Sequence, residues 1–303
     1  MDTNEKQLNT AILFITYKRL DTTKQVFETI KKAKPQKIYI SSNFGKNKEE
    51  VKKVIEVRTY LEENIDWKCK VSKLYRTKYL SAKLSISGAI DWFFENEEQG
   101  IILEDDCLPS QSFFWFCENL LHHYADDKKV GAITGNNFQN NKWRGSASYY
   151  FSKFAHCWGW ATWRRAWHHN DTDLKFWPKW RNSKDWLNYM PDKVERKFWQ
   201  NNFDRVHAGE IDTWDYPWDA SRFRKGFIAA TPNVNLVSNI GYGEGATHTI
   251  SKNSQFSNMP TYELGPMVYL NKVERDLLAD QWTFDFHYGG KNLRFPYNFI
   301  NFV

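Results

Sequence analysis

The sequence predicts an α/β fold in which a mostly parallel central sheet is flanked by helices. Short apolar runs alternate with amphipathic segments of helical spacing over the first hundred residues, as expected for strands that are connected by helices. Runs such as AILFITY and GIIL are apolar throughout, which is typical of strands buried on both faces of a sheet. In such sheets, ligands bind beyond the carboxyl ends of the strands.

The predicted elements follow one another in a regular βα order. Strands are expected at 11–17, 37–42, 68–74, 100–106 and 130–134, with helices at 21–34, 47–63, 82–95 and 111–125. Beyond residue 136 the sequence becomes rich in Asn, Trp, His and Arg, and the expected elements are helices near 160–168, 193–208 and 272–282 and strands near 227–230. We therefore expect one continuous domain, with a nucleotide-sugar-binding half at 1–135 and an acceptor-binding half at 136–303.

The composition is that of a globular protein with many aromatic residues. Of the 303 residues, 17% are aromatic, and aromatic rings both fill cores and stack on sugars and nucleobases. The net charge of +6 comes without a run of Lys or Arg, so no nucleic-acid partner is expected. A mild positive balance suits an anionic ligand such as a nucleotide, or contact with an anionic membrane surface.

Cysteine usage and hydropathy bear on the location of the protein. Four cysteines without CxxC spacing favour free thiols in a reducing compartment. No apolar run approaches the roughly 18 residues that a membrane span needs. We expect a cytoplasmic protein, with peripheral contact at the inner membrane face left open.

An acidic triplet, Glu104-Asp105-Asp106, ends the fourth predicted strand. Carboxylates crowded at a strand end repel one another, and a cation relieves that repulsion. Mg²⁺ and Mn²⁺ are commonly held by one or two carboxylates together with the oxygens of a diphosphate. The triplet therefore predicts a divalent-cation site, and the alternative is a solvated turn or a helix N-cap.

A second group of carboxylates lies in the segment TWDYPWDA, which contains Asp215 and Asp219. Aromatic neighbours desolvate a carboxylate in part, and this raises its basicity, as a general base requires. We predict Asp215 as the base in preference to Asp219, and we assign Trp214 to the donor site. The alternative is that Asp215 caps the following helix.

Two further segments have the composition of a ligand site. Trp158-Gly159-Trp160 combines aromatic faces with a glycine that lets a ligand approach closely, and we assign both tryptophans to the donor site, although core packing explains tryptophans equally well. The stretch 239–249 has three glycines among polar residues and can close over a diphosphate, which makes His248 a candidate contact to it.

Five segments in this order resemble the GT-A glycosyltransferases, specifically N-acetylglucosaminyltransferase I and related bacterial nucleotide-diphosphosugar transferases. They are AILFITYKRLDTTKQVFETI, IILEDDCLPSQSFF, CWGWATWRRAW, TWDYPW and NLVSNIGYGEGATHT, and together they span roughly 11–250. The resemblance implies a GT-A fold and an inverting sugar transfer from a nucleotide-diphosphosugar to a glycan, lipid-linked or other hydroxyl acceptor. A role in bacterial cell-surface polysaccharide synthesis is the corresponding expectation.

The resemblance also implies roles for individual residues. Asp106 is the expected ligand of Mn²⁺ or Mg²⁺, with Glu104 and Asp105 near the ribose and the donor sugar. Arg19 is expected at the nucleotide. Asn43 stands where the family often has an acidic residue that reads the nucleobase, so the identity of the base stays open. By the same resemblance, the carboxylate of TWDYPW is the catalytic base.

Two alternatives stay open at this point. A sugar-nucleotide nucleotidyltransferase would have a similar sheet, but it is expected to carry a glycine-rich phosphate loop after the first strand, where this chain has TYKRLDTT. A catalytically inactive carbohydrate-binding protein would account for the aromatic residues but not for aspartates at a strand tip.

Overall fold

A computed structural model describes residues 7–242 and 255–297 of the chain. These residues form ten strands, eight of which make one central sheet. The strands are β1 Ile12–Thr16, β2 Lys37–Ser42, β3 Lys70–Tyr75, β4 Gln99–Glu104, β5 Cys107–Pro109, β6 Val130–Thr134, β7 Tyr149–Ser152, β8 Trp160–Trp163, β9 Ile228–Pro232 and β10 Val237–Asn239.

Helices connect most of these strands. They are α1 Leu20–Ala33, α2 Lys48–Asn64, α3 Ala82–Asn96, α4 Gln111–His123, α5 Arg164–Trp167, α6 Trp177–Trp180, α7 Lys184–Tyr189, α8 Lys193–His207, α9 Asp215–Lys225 and α10 Leu277–Trp282, followed by a π-helical turn, Thr283–His287, and a 3₁₀ turn, Gly290–Leu293. Side-chain caps fix several starts, because Asn47, Ser81 and Asp192 accept hydrogen bonds from backbone N–H groups of the first turns of α2, α3 and α8. Helix α9 ends at Gly226, whose φ of 67° suits glycine.

The central sheet is mixed, so the prediction of a mostly parallel sheet is wrong. Its strand order is β3-β2-β1-β4-β8-β6-β9-β7. Strands β1 to β4 are parallel, and β9 is parallel to β6. Strand β8 runs antiparallel between β4 and β6, and β7 is an antiparallel edge strand on β9. The parallel half therefore agrees with the sequence analysis, and the second half does not.

The segment 160–168 explains the error, because its first half is a strand rather than a helix. Trp160 packs in the core on one face of the sheet, while Ala161 and Trp163 pack in the core on the other face. A strand buried on both faces shows no alternation of polar and apolar residues, so periodicity does not distinguish it from a short buried helix.

Two hydrophobic cores lie on the two faces of the sheet, and β1 contributes alternate residues to each. Ile12 and Phe14 pack against α1 and α4, whereas Leu13 and Ile15 face α3 and the tryptophans of the α5 and α9 region. This burial on both faces is the physical reason that the early strands were predictable as uniformly apolar runs.

A third core cluster accounts for much of the aromatic content. It gathers side chains from α6 to α9 and the π-helical turn, including Trp177, Trp186, Trp199, Phe203 and Phe284. Ring centroids such as those of Trp177 and Trp186 lie 5.2 Å apart in edge-to-face contact, and such pairs contribute about 0.5–1.5 kcal/mol beyond their buried area. Most tryptophans in this region are thus structural.

Two smaller expectations can also be compared with the structure. All four cysteines are free thiols, as predicted. Within residues 7–242 and 255–297, none of the helices has the length and apolar character needed to cross a lipid bilayer.

Candidate active site

A cavity of about 480 Å³, here called the main cavity, lies where the neighbouring parallel strands β1, β2 and β4 end. Because these strands are parallel, the residues after them meet at one edge of the sheet. The opposite wall is the segment 211–216, which leads into α9. The residues after the three strands that line this cavity are Tyr17, Lys18, Arg19, Asn43, Asp105 and Asp106.

The acidic triplet forms one wall of the main cavity. Glu104 is the last residue of β4, and Asp105 and Asp106 make the turn into β5. Burial raises the pKa of Glu104 well above its ordinary range, and the charges of Asp106, Asp105 and Asp215 raise it further. Burial also raises the pKa of Asp105.

Arg19 is the cation that faces the triplet. Its Nη2 lies 2.9 Å from Asp105 Oδ1 and 2.7 Å from Asp106 Oδ2, and its Nη1 donates to the carbonyl of Gly241 at 3.2 Å. Burial alone would lower the pKa of Arg19, but the charges of Asp105 and Asp106 raise it above its ordinary value. A Cβ at Gly241 would collide with Asp106 and Arg19, so this close backbone approach requires glycine.

Asp105 also links the ends of β1 and β4 through a hydrogen bond. Its Oδ2 accepts a hydrogen bond from the backbone N–H of Tyr17 at 2.9 Å, just after β1. The hydroxyl of Tyr17 and the ammonium of Lys18 in turn bind Glu50 on α2, at 2.7 and 2.6 Å. This network fixes the loop after β1. The second partner of Asp106 is a weaker donor than that of Asp105, because it is the thiol of Cys107, 3.4 Å from Oδ1.

Asp215 lies opposite the triplet, at the first position of α9. Its Oδ1 accepts hydrogen bonds from the hydroxyl of Thr213 and from the backbone N–H of Tyr216. Among the residues that the structure describes, no protein group donates to Oδ2. The carboxylate is therefore oriented through one oxygen, while the other is available to a ligand.

A second cavity, here called the side cavity, adjoins the main cavity at Asp215. It measures about 180 Å³, and both cavities are lined by Cys157, Trp158, Asp215 and Tyr216. Asp215 therefore stands between a large cavity and a small one. The remaining wall of the side cavity is mainly aromatic and includes Phe138, His156, Trp218, Asp219, His287 and Tyr288.

Asp219 lines the side cavity but not the main cavity. It forms an ion pair with Arg222, whose side chain is completely buried and also donates to the carbonyl of Lys153. Burial raises the pKa of Asp219 to about 6, against the opposing effect of the charge of Arg222. Asp219 is thus committed to a buried pair, which distinguishes it from Asp215.

The three tryptophans predicted at the donor site lie in different environments. Trp158 lines both cavities and Trp214 lines the main cavity. Trp160 lines neither of them. It is buried in the core on the α9 face of the sheet, with its ring 5.8 Å from that of Trp214 and 6.0 Å from that of Trp218. Trp160 is therefore a packing residue behind the wall, contrary to its predicted role.

The two remaining predicted residues are Asn43 and His248. Asn43 lines the main cavity, but its side chain is engaged with backbone groups of Phe44 and Leu80. These bonds brace the loop after β2. His248 lies outside the described residues. In the described part of the chain, no three His, Cys, Asp or Glu side chains are grouped so that they alone could hold a metal ion.

Several residues of the two cavities were missed from the sequence. His156 and Cys157 precede the tryptophans that were noticed, and His287 and Tyr288 come from the far C-terminal segment. The order of residues along the chain contains no signal that the π-helical turn reaches the region of Asp215. Only the packing of α10 and that turn against β7 and the aromatic cluster brings them there.

Comparison with known proteins finds similarity to solved structures of about 10% sequence identity. No family model matches the chain, and no curated protein was found to be similar to it. Similar solved structures include HddC from Yersinia pseudotuberculosis, at 10% identity and a TM-score of 0.34, covering 56% of this chain and 86% of that one. A 4-diphosphocytidyl-2C-methyl-D-erythritolsynthase from Anaerococcus prevotii is 10% identical with a TM-score of 0.39, covering 74% of this chain and 86% of that one.

A further similar structure is a UDP-glucose pyrophosphorylase in complex with UDP-glucose, at 11% identity and a TM-score of 0.24, covering 43% of this chain and 64% of that one. Another structure of HddC is complexed with GMP-PN. Similarity of this extent does not assign a reaction to the chain.

Proposed function

We propose that the protein is a metal-dependent glycosyltransferase of the GT-A type, which transfers a sugar from a nucleotide-diphosphosugar to an acceptor hydroxyl with inversion. The observation that carries this proposal is the position of Asp215 between the two cavities, with one carboxylate oxygen to which none of the described residues donates. Direct displacement requires a base at the point where donor and acceptor meet. The acidic triplet and Arg19 across the main cavity provide groups suited to a diphosphate and its metal.

The residues present fit a metal ion that is coordinated partly by protein carboxylates and partly by the phosphates of the substrate. No cluster of three ligating side chains exists among the described residues, but Mg²⁺ and Mn²⁺ are ordinarily bound by one or two carboxylates plus substrate phosphates. The carboxylates of Asp105 and Asp106 share the single guanidinium of Arg19, so negative charge is left over for a cation. Asp106, whose side chain is more exposed to the main cavity than that of Asp105, is the residue that would hold it.

When bound, the metal would supply Lewis-acid stabilisation of the leaving diphosphate. The chain's own residues would do the rest. Arg19, which lines the main cavity beside Asp106, would neutralise part of the diphosphate charge. Glu104, which lines the main cavity at the end of β4, would hydrogen-bond to a hydroxyl of the donor. Asp215 would take the proton of the attacking acceptor hydroxyl through Oδ2.

The second candidate is nucleotidyl transfer, in which a sugar phosphate displaces pyrophosphate from a nucleoside triphosphate. The UDP-glucose pyrophosphorylase among the similar structures is named for such chemistry. The charges of the main cavity favour the first candidate instead. Among the described residues that line it, five are acidic and two are basic. Such a cavity repels a triphosphate together with a phosphorylated sugar more strongly than a diphosphosugar and a neutral hydroxyl.

The nature of the released product separates these candidates. The protein should be incubated with Mn²⁺ and a panel of UDP-, GDP- and CDP-sugars, and separately with each nucleoside triphosphate plus sugar 1-phosphates. We expect release of a nucleoside diphosphate from at least one nucleotide sugar, even if water is the only acceptor. Phosphorus NMR identifies nucleoside diphosphate and pyrophosphate in the same spectrum.

Each alternative has its own signature in that experiment. Pyrophosphate release from a triphosphate, without nucleoside diphosphate from any sugar donor, would favour nucleotidyl transfer. Sugar binding without either product would favour an inactive carbohydrate-binding protein. Omission of Mn²⁺ with added chelator is the matched control, and we expect it to suppress nucleoside diphosphate release.

A further inference from the structure

The side cavity contains buried polar groups that lack protein partners. His287 Nδ1 and Trp218 Nε1 are both buried, and neither has a hydrogen-bond partner among the described residues. Native proteins pair nearly all of their buried polar groups, so a ligand with hydroxyl groups at this cavity would supply hydrogen bonds that the described residues do not make.

The histidines of this cavity are neutral hydrogen-bonding groups. Burial lowers the pKa of His287 to about 4, and burial together with the nearby His287 and Arg222 lowers the pKa of His156. A neutral imidazole offers one N–H donor and one acceptor nitrogen. Such groups match hydroxyls, which both donate and accept.

Aromatic rings line the same space. The ring of Phe138 stacks on His287 with a centroid distance of 4.0 Å and an interplanar angle of 16°, and it meets Trp158 edge-on at 5.5 Å. Tyr288 packs edge-on against His287 at 4.8 Å. Rigid aromatic faces beside hydroxyl-matching groups are suited to a sugar ring, which has apolar C–H faces and polar edges.

The charge and the volume of the side cavity restrict the class of ligand that it can bind. The charge of Asp219 is already balanced by Arg222, which leaves Asp215 as the unpaired charge at this cavity among the described lining residues. An anionic ligand would face repulsion from Asp215. The volume of about 180 Å³ is well below the roughly 300–1,000 Å³ of pockets for drug-sized ligands, and well above one water's share of about 30 Å³.

We propose that the side cavity is a subsite for one neutral sugar residue, held by His287 and Trp218 against the ring of Phe138. Its role as the acceptor subsite rests on the proposed glycosyl transfer, because Asp215 at the junction would then receive the proton of this sugar's hydroxyl. The binding itself does not depend on any reaction. The acceptor is accordingly a neutral carbohydrate rather than a uronic acid or a phosphorylated sugar.

The test is direct binding of methyl glycosides, observed by saturation-transfer NMR and titrated with Mn²⁺ and a nucleoside diphosphate present. The panel contains methyl glycosides of glucose, galactose, mannose and N-acetylglucosamine, with methyl glucuronide as the anionic comparison. We expect at least one neutral glycoside to bind and the glucuronide to bind at least about tenfold more weakly. His287→Phe keeps the ring but removes the nitrogens, and it should weaken binding about tenfold.

Controls make each outcome informative. His169→Phe replaces a half-buried histidine outside both cavities, and its affinity for the glycoside should match that of the unmodified protein. Melting temperatures show whether each variant is folded, and Trp218→Phe provides a second removal of an orphaned group should His287→Phe be unfolded. The proposal is overturned if no neutral glycoside binds, if the glucuronide binds equally well, or if folded variants at positions 287 and 218 keep full affinity.

These binding results do not depend on whether the protein catalyses the proposed sugar transfer. A protein that binds the glycoside through His287 but releases no nucleoside diphosphate would retain the sugar subsite and lose the glycosyltransferase function. Release of nucleoside diphosphate without glycoside binding would support the glycosyltransferase function and overturn the sugar subsite.

Discussion

Asp215→Asn is expected to lower the rate of sugar transfer by roughly a thousandfold, within the 10²–10⁴-fold range of general-base contributions. Asparagine has the size of aspartate, and its oxygen can still accept the hydrogen bonds that Thr213 and Tyr216 give to Oδ1. The amide nitrogen in place of Oδ2 cannot accept a proton. Nucleoside diphosphate binding, measured by calorimetry, should therefore persist while turnover collapses.

Asp219→Asn is the comparison that distinguishes the two candidate bases. Asp219 pairs with the completely buried Arg222, and breaking a buried ion pair typically costs about 3–5 kcal/mol of stability. We expect this variant to lower the melting temperature, whereas Asp215→Asn should leave it close to that of the unmodified protein. If Asp215→Asn retains most of its turnover, and folded Asp219→Asn loses it, the assignment of the base is wrong.

Asp106→Asn is expected to remove the metal dependence of donor binding. Replacing even an outer-shell partner of a metal ligand costs 10–100-fold in metal affinity, so loss of the ligand itself should weaken Mn²⁺-dependent nucleotide binding by at least about a hundredfold. The measured quantity is the ratio of nucleoside diphosphate affinities with and without Mn²⁺. In the unmodified protein this ratio should be large, and in Asp106→Asn it should approach one.

Asp105→Asn provides the matched control for that ratio. Asp105 binds Arg19 and the backbone N–H of Tyr17, so its loss should loosen the loop after β1 and weaken nucleotide binding with and without metal alike. The ratio should then survive. A ratio that collapses in Asp105→Asn but persists in Asp106→Asn would transfer the metal-binding role from Asp106 to Asp105.

The parallel half of the fold was predictable because each of its strands and helices has a local signature. Strand β2 has the predicted bounds, and β1, α1, α2 and α3 differ by a few residues at their ends. In the second half, β6 has the predicted bounds and α8 differs from its prediction by one residue, but β7 and β8 were not predicted as strands. Strand β8 is buried on both faces and therefore has no period, and β7 lies in a segment whose strand character depends on its pairing with β9.

Some residues of the candidate site could likewise be named from the sequence, and others could not. The acidic triplet and Asp215 were named from the sequence, because carboxylates at a strand end or beside aromatic residues are conspicuous there. Arg19 was named from the family resemblance, and the structure brings all of them to one cavity. The aromatic residues were ambiguous, since tryptophans serve cores and ligand sites alike. Trp158 lines the site while Trp160, two residues later, packs in the core. The difference arises because Trp158 precedes β8 and the intervening Gly159 has a φ of 70°, which turns the backbone before the strand begins. His287 could not be found, because tertiary packing alone relates it to Asp215.

The configuration of the sugar released from a nucleotide-sugar donor tests the proposed mechanism most directly. Proton NMR at early times, before the anomers equilibrate, should be recorded for a donor that the protein turns over with Mn²⁺. Direct displacement by a hydroxyl or water activated at Asp215 predicts the inverted anomer, together with a nucleoside diphosphate. Initial formation of the retained anomer, or release of pyrophosphate in place of nucleoside diphosphate, would contradict it.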